Sequence, residues 1–245
     1  RFGGHSEYFE KLQVWTEEDC RTLYGTIPVI SVSFGSCKGR DYAQAIRGMI
    51  SSFYNLYESH RYLMEGEKLD AEDKAVYQRM KKALEMGDET KAESAIPRLC
   101  RLLYRYYGIW PVILLDEYDT PLLEAYTDGY WEEMIGTCRQ LFHAAFKENA
   151  YYSRAIITGV TRVTKNSLFS DLNNIEVDTV TCDAYSDCFG FTEEEVIDAL
   201  QCQNVQEFSK VKAMYDGFIF GSQKDIYNPW SICNYLRQGE LICYW

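Results

Sequence analysis

No apolar run in this chain reaches the roughly 20 residues that a membrane-spanning helix needs. Basic charge is scarce as well: 25 Lys and Arg stand against 37 Asp and Glu, a formal net charge of -12. That balance argues against broad nucleic-acid binding through a basic surface and leaves room only for a local groove. The 3 histidines, His5, His60 and His143, are too scattered to compose a zinc site. The 9 cysteines include no C-x-x-C pair, and most sit in apolar surroundings. The expectation is a reduced, cytoplasmic protein with buried thiols. There are no internal repeats and no signal peptide, and Arg1 is not an initiator, so the natural N-terminus is expected to lie upstream.

What is present suits a folded domain. Hydrophobic residues make up 47% of the 245, with 20 Tyr and 12 Phe, enough for one large domain or a core with a small appendage. PVISVSF (28–34), PVILLD (111–116) and RAIITG (154–159) read as short buried strands, and IEVDTVTC (175–182) as a weaker one. Helical spacing runs from Asp41 to about His60 through Ile46, Met49, Ile50, Phe53, Leu56 and Tyr57. It returns after Pro97 through Leu99, Leu102, Leu103, Tyr106 and Tyr107, with Arg98, Arg101 and Arg105 as a solvated stripe, and again from Trp131 to Phe146. Strands alternating with helices, and continuous apolar runs, predict an α/β fold with a parallel sheet covered on both faces. Beyond 185 the reading is three short helices and no clear strand. Thr192 and Glu195 form a capping box, and Asn228-Pro229 opens the last helix. The expected division is a core over 1–185 and a helical subdomain over 186–245.

The most informative stretch is PVILLDEYDTP (111–121), in which a buried strand runs straight into Asp116-Glu117. In nucleotide hydrolases the first acid at such a strand end holds Mg²⁺, usually through water, and the second orients or deprotonates the attacking water. Two solvated acids closing a strand are the plain alternative. Ligands of open α/β sheets bind at the carboxyl ends of the strands, where the next strand ends in TGVTR. There Thr158 is placed to touch a γ-phosphate or the water, and Arg162 to stabilise developing charge or simply to pair with an acid. The triplets Glu72-x-Lys74 and Glu89-x-Lys91 are better read as helical charge spacing than as a nuclease site.

LLDEYDTPLLEAY, the long block from GYWEEM through TGVTRVTKNSLFSDLNN, FGFTEEEV, YDGFIFG and IYNPWSICNYL closely resemble the AAA-ATPase-like family. The likeness runs from about Tyr8 to Trp245. It implies an additional-strand P-loop ATPase core followed by a helical lid, with ATP and Mg²⁺ as cofactors. It carries the Walker B role onto Asp116 and Glu117, and the sensor region onto the segment with Thr158 and Arg162. Asp119 falls in the same block and is expected to contribute to cofactor binding. Family members are largely bacterial and often joined to a C-terminal nuclease-like domain, so nucleic acid enters only indirectly. The family's phosphate loop ends in a segment like RRFGKS. Here RFGGHS places Gly4 at the Lys position and His5 at the Ser or Thr position, while HSEYFEKLQVW resembles a block one helix further on. The Walker A loop is therefore expected to lie outside this chain, which as it stands would be inactive. A non-hydrolysing scaffold, or a regulatory module of a nucleic-acid-processing protein, is the alternative reading.

Overall fold

The computed structural model describes residues 5–162, 168, 169, 172 and 175–244. The chain forms two compact units, Arg1–Asn173 and Asn174–Trp245, whereas the sequence reading put the change at 185.

The first unit opens with α1 (Glu18–Leu23), then β1 (Val29–Ser33) and α2 (Tyr42–Ser59). Asp41 caps α2 by accepting from the Gln44 amide at 2.8 Å. The face through Ala45, Ile46, Met49, Ile50, Phe53, Leu56 and Tyr57 is buried, as the three- and four-residue spacing predicts. Next come α3 (Ala71–Glu85), the short α4 (Glu89–Ala92) and α5 (Ala95–Tyr107), which Gly108 ends at φ 71°. Both E-x-K triplets lie on helices, α3 and α4. Strand β2 (Val112–Asp116), α6 (Thr120–Asp128), α7 (Trp131–Phe142) with a π-helical turn His143–Lys147, and β3 (Arg154–Ile157) complete the unit.

The three strands are parallel in the order β1-β2-β3, with Ser33 opposite Asp116 and Leu115 opposite Ile157. All three carboxyl ends therefore share one edge, as expected. Coverage of both faces is not what the sheet shows. Ile30, Val32, Ile113 and Leu115 are buried, whereas Val29 is 37% and Ile156 57% exposed. The apolar runs are continuous because Val, Leu and Ile occupy both sides of each strand, yet within this unit the core helices cover one side. Nor does 175–182 form a strand. Val177 and Val180 are exposed, and the Cys182 amide turns back to Thr179 O at 2.9 Å.

In the second unit α8 (Glu193–Cys202) starts on the expected Thr192–Glu195 capping box, and α9 (Phe208–Tyr215) follows. A hairpin then corrects the all-helical expectation: β4 (Asp216–Phe220) pairs antiparallel with β5 (Gln223–Tyr227). Gly221 at φ 55° takes the first position of its two-residue turn, the place where a mirror-image turn demands glycine. The last helix, α10 (Pro229–Gln238), is capped by Asn228, whose Oδ1 accepts from Trp230 at 2.8 Å. Val196, Leu200, Val211, Tyr215, Tyr227, Ile232 and Tyr235 form the core of this unit. Among the described residues no helix is long and apolar enough to cross a membrane.

One further expectation needs correction. Only Cys37, Cys100 and Cys138 are buried, and burial pushes their thiols up to about 11, 12 and 12. Cys188, Cys202, Cys233 and Cys243 are exposed. Arg98, Arg101 and Arg105 are all exposed, as the solvated stripe predicts, but Arg105 is also ion-paired. Its Nε lies 2.9 Å from Oδ2 of Asp73, whose side chain is 3% exposed, and its Nη2 lies 3.1 Å from Asp70. Burial raises the Asp73 carboxyl above its ordinary value, and Arg105 pulls it part of the way back.

Replacing Arg105 by Met removes that counterweight. Because Arg105 is 40% exposed, the expected loss is about 2 kcal/mol near pH 7, below the roughly 3–5 kcal/mol of a fully buried pair. In the variant the folded carboxyl holds its proton after the unfolded one has ionised. Stability therefore falls as pH rises from the ordinary carboxylate value towards the raised folded one. Urea unfolding should show a deficit at pH 7 clearly larger than at pH 4. Equal deficits would show that Asp73 does not depend on this cation.

Candidate functional site

The carboxyl edge of the sheet gathers the residues singled out in the sequence. The β2 strand stays paired to its last residue, with the Phe34 amide donating to Asp116 O at 2.9 Å and the Thr158 amide to Leu115 O at 2.9 Å. Past that point the chain must leave the sheet. Glu117 does so in the left-handed region, at φ 52°, an uncommon conformation for a residue with a long side chain. The turn brings both acids to the same edge instead of opposite faces. Asp116 is exposed and Glu117 half-buried.

Asp116 is held from two sides. Its Oδ1 accepts the Thr158 hydroxyl at 2.5 Å and the Glu117 amide at 3.0 Å. A hydroxyl at the end of one strand thus lies on a carboxylate at the end of its neighbour. Glu117 is braced differently. Its Oε2 accepts from Thr120 Oγ1 at 3.3 Å, and its carboxylate lies flat against Gly35, just beyond β1. A Cβ on Gly35 would stand 2.5 Å from that Oε2, so only glycine allows this approach. Ser33, opposite Asp116 and exposed, completes the edge, with its Oγ accepting from the Gly35 amide at 3.1 Å.

Asp119 faces elsewhere. It is 1% exposed, and its Oδ2 accepts from Thr161 twice, from the amide at 2.5 Å and from Oγ1 at 2.7 Å. Its backbone carbonyl receives the amides of Leu122 and Leu123, which starts α6. Tyr118 adds two more ties to the same loop, its amide to Thr158 O at 3.1 Å and its hydroxyl to Thr161 O at 2.8 Å. Arg162 follows at once and is exposed. The structure therefore brings Asp116, Glu117 and Thr158 together, puts Arg162 on the adjoining loop, and turns Asp119 inward beneath that loop.

Sequence reasoning missed Gly35, Thr120 and Thr161. A glycine directly after a strand that ends on the same edge was the available sign for Gly35. Thr161 lay within the quoted TGVTR, but nothing in that segment says which threonine points inward. The segment Arg1–Gly4 compared with a phosphate loop lies outside the described residues. Two surface clefts, one lined by Tyr126, Tyr130 and Trp131 and one by Asp70, Asp73 and Arg105, include none of the edge residues. Among the described residues the site is a ledge of acids and hydroxyls along the carboxyl edge of the sheet.

Known proteins agree with the resemblance. A relative described as an uncharacterized protein in the vnfD 5' region of Azotobacter chroococcum mcd 1 is 29% identical over 248 residues. That match takes in 100% of this chain, and the chain spans 42% of that protein's length. No solved structure matches. The sequence model of the family described as Predicted AAA-ATPase matches residues 2–169, which include β1, β2, β3 and every residue of the ledge. The chain belongs to this predicted AAA-ATPase family.

Proposed function

We propose that the ledge is the acid-bearing half of an Mg²⁺-dependent ATP-hydrolysing site. The observation that carries this reading is the bond from Thr158 to Asp116 across the carboxyl ends of two parallel strands. It holds a carboxylate outward where ligands of such sheets bind. Asp116 would hold Mg²⁺, with Thr158 beside it. Mg²⁺ ordinarily takes one or two carboxylates and completes its shell with water and phosphate oxygens, so this donor set fits. Among the described residues no group of three or more His, Cys, Asp and Glu gathers into a cage, and none is needed for a metal shared with a nucleotide. When bound, the ion offsets charge on the phosphate oxygens. Glu117, braced by Thr120 and Gly35, would accept the proton of the attacking water or orient it. Arg162 would meet charge that develops on the phosphate.

A phosphate cradle would be the other half. RFGGHS carries no Lys at the required position, and Asp116 and Glu117 repel polyphosphate. Residues 1–245 alone should therefore bind Mg-ATP no more tightly than about 1 mM by isothermal titration. A low-micromolar constant would point to a different nucleotide site.

In the full-length protein Glu117→Gln should retain Mg-ATP affinity and lower the single-turnover rate by about 10²–10⁴. Asp116→Asn should weaken metal-dependent binding as well. Turnover unchanged in Glu117→Gln would end the hydrolytic reading and favour a scaffold that keeps the fold without the chemistry.

Gly35→Ala separates position from presence. The group that its Cβ meets is the far end of a flexible side chain, so stability should change by no more than about 1 kcal/mol. The Glu117 carboxylate must nonetheless swing away, and turnover should drop by about 10-fold or more. Thermal unfolding and single-turnover hydrolysis measured together test this. Full activity in a normally folded variant would mean that the braced geometry is not the working one.

A further inference from the structure

The block that supplies the two exposed acids also contains Asp119, to which the proposed chemistry gives no task. Its setting is unusual. The side chain is 1% exposed, one oxygen takes both donors of Thr161, and Oδ1 has no hydrogen-bond partner among the described residues. Burying a carboxylate with one oxygen unsatisfied is unfavourable, and such a group in a folded protein calls for a specific reason. Packing alone does not supply one, because a smaller apolar or neutral side chain would fill the space at lower cost.

We infer that Asp119 is a positioning residue: through Thr161 it fixes the backbone from which Arg162 reaches the ledge. This inference rests on the ATPase reading of that ledge. Four bonds tie the β3 exit to the β2 exit, two donated by Thr161 to Asp119 and two donated by Tyr118, to Thr158 O and Thr161 O. Thr158 and Thr161 are thus both anchored, and only residues 159–160 lie between them. Gly159 lets the segment pass flush, since a Cβ there would lie 2.6 Å from both Asp119 Oδ1 and Tyr118 Cε1. Arg162 has a long, flexible side chain, so its reach is precise only if its backbone is set beforehand. The same turn that presents Asp116 and Glu117 would then also determine where the cation stands.

The test uses the full-length protein with Asp119→Asn, Thr161→Val, Arg162→Ala and the Asp119→Asn/Arg162→Ala double variant. Without nucleotide, amide exchange over 158–162 should quicken at least about 10-fold in Asp119→Asn and Thr161→Val, and stay near wild type in Glu117→Gln. With nucleotide, Mg-ATP affinity should hold within about 3-fold while single-turnover hydrolysis falls about 10–100-fold. The double variant should be no more than about 2-fold slower than Arg162→Ala alone, because the two changes act through one group. If Asp119→Asn does not fold, Thr161→Val carries the same expectations with the carboxylate in place. Independent, multiplying losses, or unchanged exchange over 158–162, would overturn the inference and leave the ledge reading intact. Unchanged turnover in both Glu117→Gln and Arg162→Ala would overturn both.

Discussion

The pairing of β2 with a strand on either side is the constraint on which the rest of the molecule depends. Because the Phe34 amide reaches Asp116 O and the Thr158 amide reaches Leu115 O, the central strand is held to its final residue. Its exit point is therefore fixed to within a hydrogen bond on both flanks. A slip of one residue in one direction would put Asp116 in the buried slot of Leu115, and in the other would put Leu115 on the ledge. The burial of Ile30, Val32, Ile113 and Leu115 on one side opposes that slip. Packing on one face thus holds polar chemistry in register at the end of the other.

The helices and parallel strands were legible in the sequence because their signals are local. Spacing in α2 and α7, the Asn228 cap, and the Thr192–Glu195 box each lie within a few residues of what they specify. The β2 acids were legible for the same reason. What escaped depends on partners distant in sequence. The continuous run VILLD reads the same whether one face of the strand or both are covered. Asp119 looks like a third member of an exposed acidic set until Thr161, 42 residues on, is seen to claim it. Arg105 looks unpaired because Asp73 lies 32 residues before it, on another helix. The β4–β5 hairpin is the exception. Its Gly221-Ser222 turn is present in the sequence, but the short runs on either side of it carry no clear strand signal.

Charge is distributed to suit this arrangement. The chain is strongly acidic overall, yet the carboxylates that matter are each settled by a short, specific contact: Asp116 by Thr158, Glu117 by Thr120, Asp119 by Thr161, Asp73 by Arg105. Three of the four partners are neutral hydroxyls. Hydroxyls orient a carboxylate without neutralising it, so the ledge keeps its attraction for a cation. An arginine in the place of Thr158 would satisfy Asp116 more strongly and would compete with a metal for the same oxygens.

The left-handed backbone of Glu117 has a consequence for how this family can drift. Glycine would adopt that conformation without steric penalty, and both glutamate codons become glycine codons through one base change. The acid thus stands where the backbone alone would accept glycine more readily. Glycine there would relieve the backbone and at the same time remove the carboxylate together with its bond to Thr120.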